Sequence, residues 1–167
     1  MWKIYSKISF QLNYILIALL LTFSACSIKN YEKTQSKIIT IKTPQIKFSD
    51  VGYVRNSDDS VELELFIAGR VFRKISINYL VCLDEGCTSK AAFNEAYLNK
   101  SYPDKLLQNI ILGRAIYEKR NLLKNADGFT QEIKTQQVDI NYRVTQKEIY
   151  FKDKHNKILF KIKDLNQ

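Results

Sequence analysis

Residues 60–69 read SVELELFIAG, and Val61, Leu63, Leu65 and Ile67 alternate there with Glu62, Glu64 and Phe66. Successive side chains of a strand point to opposite faces, so this period of two predicts a β-strand with one apolar side. The SDD at 57–59 supplies a turn, and DVGYVRN (50–56) is expected to pair back as the other arm of a hairpin. On the far side Gly69 reads as a bend or bulge. Beyond it RVFRKISINYLVCL (70–83) continues with Ile75, Ile77, Tyr79 and Val81 on one face.

Working outward, SKIITIKT (36–43) and QIKFSDV (45–51) alternate as strands on either side of Pro44, which marks a break or an edge. Toward the C-terminus, residues 113–117 and FTQEI (129–133) read as strands around a polar loop, EKRNLLKNADG, whose Asp127-Gly128 is a turn signal. QVDINYRV (137–144), KEIYFK (147–152) and KILFKIKDL (157–165) follow at short spacing. Such short connections predict antiparallel neighbours in a meander.

In the middle the period changes. TSKAAFNEAYLNKSY (88–102) offers Thr88 or Ser89 as an N-cap, with Ala92, Phe93, Ala96 and Tyr97 at helical spacing. SYPDKLLQNIILG (101–113) places Pro103 near the start of a second helix, gathers Leu106, Leu107, Ile110 and Ile111 on one side, and ends on Gly113. The expected fold is mainly β (α+β): an antiparallel curved sheet or incomplete β-barrel covered by two short central helices, because a sheet with one apolar face must bury that face.

The N-terminus carries a different signal. Lys3 and Lys7 precede the apolar run in YILIALLLTFSACS (14–27), with no acidic residue before Glu32. Its uninterrupted part is about half the roughly 20 residues a transmembrane helix needs. A basic start, a short apolar run and a small-residue exit describe a secretory signal. FSAC (23–26) resembles the lipobox of bacterial lipoproteins, with Phe23 where that family usually has Leu. The resemblance implies a signal peptide at 1–25 and lipidation at Cys26; SIKNYEKTQS (27–36) is polar and aperiodic, which suits a tether at 26–36 ahead of one β-rich domain at 37–167. The resemblance also implies a chain held on the outer membrane facing the periplasm. An ordinary signal peptide with an incidental cysteine, or an uncleaved anchor, is the alternative.

The chain carries a formal charge of +9, which loss of Lys3 and Lys7 lowers to +7. The lysines are scattered rather than clustered with stacking aromatics, so no nucleic-acid partner is expected. Anionic headgroups suit the charge, as does a plain solvated face. Cys82 and Cys87 flank a DEG turn, and an exported chain permits oxidation, so a structural disulfide is expected there. Redox chemistry would more typically show C-x-x-C, and zinc would need four ligands where His155 is the one histidine. No metal, no cofactor and no catalytic residue is expected, since the sequence shows neither a nucleophile elbow nor a phosphate loop.

The element order, with PDKLLQNIILGRAIY (103–117) between the first sheet half and the GFTQEI, VDINYRV, KEIYF and KILFKIKDL strands, resembles the LolA/LolB family of lipoprotein carriers and receptors. That resemblance implies an open barrel with a helical lid over an apolar cavity for acyl chains, serving lipoprotein or lipid transfer. The candidate lining is Leu106, Leu107, Ile110 and Ile111 on the lid and Leu63, Leu65, Ile77 and Tyr79 on the sheet. Leu122 and Leu123 are the nearest counterparts of the family's exposed apolar loop residue. Two alternatives stay open: the same residues form a closed core, and the chain is an interaction lipoprotein, an accessory subunit or a surface adhesin.

Overall fold

The computed structural model describes residues 31–165 of the 167. Eleven strands form one antiparallel sheet in the order β6-β5-β4-β3-β2-β1-β11-β10-β9-β8-β7. The N-terminal meander is β1 (Lys33–Lys42), β2 (Lys47–Asn56), β3 (Val61–Ile67), β4 (Arg70–Ile77), β5 (Val81–Leu83) and β6 (Gly86–Thr88). Helices α1 (Lys90–Tyr97) and α2 (Leu106–Ile111) follow. The chain then returns through β7 (Leu122–Asn125), β8 (Gly128–Lys134), β9 (Asp139–Thr145), β10 (Glu148–Asp153) and β11 (Ile158–Asp164).

Every pairing but one joins chain neighbours. The exception is the seam between β1 and β11, where Ile39 faces Ile162 and Ile41 faces Phe160. The two ends of the order, β6 and β7, do not pair, so the sheet is open. Laid flat, ten inter-strand spacings of about 4.8 Å would extend roughly 48 Å. Yet Leu63 of β3, Tyr142 of β9 and Leu106 of α2 belong to one buried cluster. Inner faces that far apart share a core only if the sheet curls, as sheets of more than about ten strands commonly do.

Several sequence expectations change. The stretches QIKFSDV and DVGYVRN lie along one continuous strand, β2, with Phe48, Gly52 and Val54 buried on its inner face; Gly52 admits a close approach there, since a Cβ would lie 2.7 Å from the Glu64 carbonyl oxygen and 2.8 Å from Ile39 Cδ1. The bend expected at Gly69 is the tight turn between β3 and β4, with Ala68 and Gly69 at φ of 50° and 76°, and a separate bulge falls between Leu65 and Phe66. Residues 33–36, expected in the tether, pair with β2. Tyr31 donates its hydroxyl to Glu62 at 2.9 Å.

Glu62 points away from the core, as its alternation requires, but it is only 3% exposed. Arg55 (3.0 Å) and Lys74 (3.1 Å) pair with it and Ser76 donates to it, so the buried charge is fully engaged. Burial by itself would raise its pKa. The bonds from Lys74, Tyr31 and Ser76 reverse that and hold it below the usual glutamate range.

Ser89 caps α1, its hydroxyl accepting from the Ala92 amide. Phe93 and Asn94 are the buried side chains of that helix, while Ala92 and Ala96 face solvent. The α2 stripe follows the expected spacing, with Leu106, Leu107, Ile110 and Ile111 all buried. Residues 113–117 are not a strand, and the segment expected as a polar loop contains β7.

Ile110 is fully buried within the shared core. Ile110→Glu is expected to destabilise the domain by about 3–5 kcal/mol, the cost of an uncompensated buried charge. Ala92→Glu on the exposed side of α1 is expected to stay within about 0.5 kcal/mol of the parent. Urea titration of the two variants checks both.

Candidate functional site

The site of interest is the region where α2 meets the sheet. Seven of the eight proposed lining residues come together there: Leu63, Leu65 and Ile77 from the inner face and Leu106, Leu107, Ile110 and Ile111 from α2 are buried in one cluster, each 4% exposed or less. In this arrangement they form a filled core. Tyr79 does not join them and is 90% exposed. The β4 chain turns before reaching it: the Asn78 amide bonds the Leu80 carbonyl at 2.9 Å, and Asn78 Oδ1 accepts from the Leu80 amide at 3.0 Å. Val81 then resumes pairing opposite Ile77. The apolar alternation therefore runs straight through a turn that local hydrogen bonding decides.

Cys82 and Cys87 stand opposite each other across the β5–β6 hairpin and are bonded, S–S 2.06 Å. Leu122 is half-buried and Leu123 is 70% exposed on the edge strand β7. Cys26 lies outside the described residues. Among the described residues no cluster of three or more His, Cys, Asp or Glu is placed to hold a metal, and no helix is long and apolar enough to cross a membrane.

Polar side chains that periodicity does not reveal fix α2 and its flanks. Gln108, inside the apolar stripe, donates to the Asp59 carbonyl at 3.1 Å and accepts from Lys90 at 3.0 Å. Asn94 donates to the Tyr102 and Pro103 carbonyls ahead of α2. Gly113, at φ 62°, closes the helix: its amide bonds the Ile110 carbonyl at 3.1 Å and the next amide, of Arg114, bonds that of Asn109 at 2.8 Å. Tyr142 then donates to the Arg114 carbonyl at 3.0 Å.

Beyond Arg114 three consecutive residues, Tyr117, Glu118 and Lys119, take φ of 45°, 54° and 65°. Left-handed backbone of this kind costs non-glycine residues about 1–2 kcal/mol each. Buried Gln131 of β8 offsets it. Its amide nitrogen donates to the Ile116 (2.9 Å) and Arg120 (2.7 Å) carbonyls, and its oxygen accepts from the Ile116 amide at 2.8 Å. Nothing in the sequence pattern distinguishes Gln131 from a surface glutamine, because only the fold brings β8 beneath this turn.

Two grooves open at the ends of α2. One, of about 770 Å³, lies between Leu106 and the left-handed turn and is lined also by Lys105, Arg114, Lys119 and Arg120. The other, of about 330 Å³, has Ile111, Val54 and Ile162 in its floor and Lys33 and Lys37 at its rim. Lys37 is paired with Asp164.

Near Tyr117, which lines the larger groove, sits a buried polar cluster. Asp153, with no exposed surface, accepts from Tyr102 Oη (2.7 Å), Asn156 Nδ2 (2.7 Å) and the amides of Asp139, His155 and Asn156. Burial would raise its pKa, but Tyr102 and Asn156, joined by the backbone amides, outweigh burial and hold it below the ordinary aspartate value. Tyr102 is pushed far up by burial and by this bond. Tyr117, whose buried hydroxyl has no partner among the described residues, is raised to about 12 by burial and by Asp153.

A carboxylate with a depressed folded-state pKa contributes stability above its unfolded pKa of about 3.9 and loses it as pH falls through the lower folded value. Tyr102→Phe removes the strongest side-chain donor, so the variant is expected to be about 1.5–3 kcal/mol less stable near pH 7. The gap should close below about pH 3.9 as Asp153 protonates in both proteins. Stability curves for the two proteins between pH 2 and 7 measure it; a gap unchanged down to pH 2 would refute the account.

No family model matches the chain, and no curated protein or solved structure matches it.

Proposed function

We propose that this chain is a non-catalytic envelope lipoprotein, anchored through Cys26 to the outer membrane and facing the periplasm, whose domain takes up apolar acyl chains between α2 and the curled sheet. In this reading α2 is a lid over the concave face, and the protein serves lipoprotein or lipid transfer. What carries the reading is the placement of α2: a six-residue apolar helix covers the inner face of an open sheet and has a groove at each end. A short helix set on a curled apolar surface can shift without unpairing any strand. Each methylene admitted beneath it gains roughly 0.8 kcal/mol, so a chain need bury only part of its length.

A second reading has its own observation. All the lid and sheet residues except Tyr79 leave no more than 4% of their surface exposed, which suits an interaction lipoprotein with a permanently closed core. Gln108 separates the two readings, because its bonds to Asp59 and Lys90 latch α2 in the closed position.

If uptake requires α2 to move, Gln108→Ala lowers the cost of opening. Binding of a fluorescent fatty-acyl probe should then tighten about 5–100-fold, the equivalent of losing two ordinary hydrogen bonds from the closed state. Mass spectrometry of natively purified protein should also find co-purifying lipid. A parent and variant that both bind no probe and purify without lipid would reject uptake and leave the interaction lipoprotein. The anchor has its own check: Cys26→Ala should abolish incorporation of labelled palmitate into the full chain, and undiminished labelling would place the modification elsewhere.

A further inference from the structure

We propose that the larger groove, between α2 and the left-handed turn, is a separate surface site for one anionic phospholipid. Its phosphate would be held by Lys105, Arg114, Lys119 and Arg120, and the first part of its chain would lie against Pro103, Ala115 and Tyr117. Three observations carry this. The groove, at about 770 Å³, has the size of a ligand pocket and an apolar floor. Its four cations are exposed, and among the described residues none lies within salt-bridge distance of a carboxylate. Asp104 and Glu118 also line it, so the lining keeps an excess of positive charge.

The third observation is that the cationic wall is built. Lys119 stands in left-handed backbone, and Arg120 follows it with its carbonyl held by buried Gln131. Unpaired cations on a held backbone beside an apolar floor match a molecule that is anionic at one end and apolar at the other. A free phosphate would leave the floor uncovered, and a zwitterionic headgroup would leave the charge unmatched. The site is distinct from the core beneath α2 and does not depend on core uptake.

The test uses the full chain in nanodiscs containing a photoactivatable phosphatidylglycerol or the matching phosphatidylcholine, with cross-linked peptides mapped by mass spectrometry. Phosphatidylglycerol should label the peptides spanning residues 105–120 well above phosphatidylcholine. Lys119→Glu/Arg120→Glu should lower that labelling about tenfold or more, since two attractive charges become repulsive. Lys105→Glu, on the opposite wall, repeats the reversal should the double variant melt early. Equal labelling by the two lipids, or labelling unchanged in both variants, would overturn the proposal. Loss of labelling to millimolar inorganic phosphate would assign the groove to the free anion and overturn the lipid. Fatty-acyl probe binding, measured in parallel, should be the same in parent and variants; its absence alongside intact phosphatidylglycerol labelling would remove the core-uptake reading and leave this site in place.

Discussion

The seam between β1 and β11 holds the rest of the domain in place. It is the one sheet pairing between elements that are not chain neighbours, and its outermost pair, Lys37 and Asp164, are 127 positions apart. Closing a loop of that length costs on the order of 4 kcal/mol in chain entropy before any contact rewards it. The reward is apolar: Ile39 on Ile162 and Ile41 on Phe160 continue the inner face without a break. Only with the seam formed do the inner faces of β3 and β9 curl around α2 and share its side chains.

The crossing segment between the two meanders faces a second constraint. Residues 98–121 contain only the short helix α2 and one left-handed turn, so most of their backbone groups have no ladder to join. Buried backbone groups left unpaired would be costly. Side chains from the sheet and α1 supply the partners instead, with Gln131, Tyr142 and Asn94 bonding carbonyls at either end of α2. The same bonds set the grooves. Tyr142 and Gln131 fix the path from Arg114 to Arg120, and that path is one wall of the cationic groove.

Charge on the outer face follows similar logic. Glu62 tolerates burial because both flanking strands, β2 and β4, and Tyr31 just ahead of β1 direct donors at it. Tyr31, read from the sequence as tether, thereby becomes part of the fold. A polar, aperiodic stretch looks like linker until a partner for it exists, and here the partner is a carboxylate that the alternation pattern assigned to solvent.

The sequence by itself determined the class of structure: alternation at Val61, Leu63 and Leu65, repeated at Ile140 and Tyr142 and at Ile158, Phe160 and Ile162, is a local property of strands and survives in the fold. So do the cap at Ser89, the stop at Gly113, the apolar stripe of α2 and the Cys82–Cys87 bond, each set by residues within one turn or hairpin. Tertiary structure decided everything that depends on a distant partner. Tyr79 leaves the core because a turn outbids its alternation, residues 113–117 lose their strand to Asn109, Gln131 and Tyr142, and Leu122–Asn125 gain one by pairing with β8. The candidate sites divide the same way: hydrophobic spacing identified the buried face of α2, whereas the cationic groove joins Lys105 to Arg120 across a left-handed turn that no local pattern encodes.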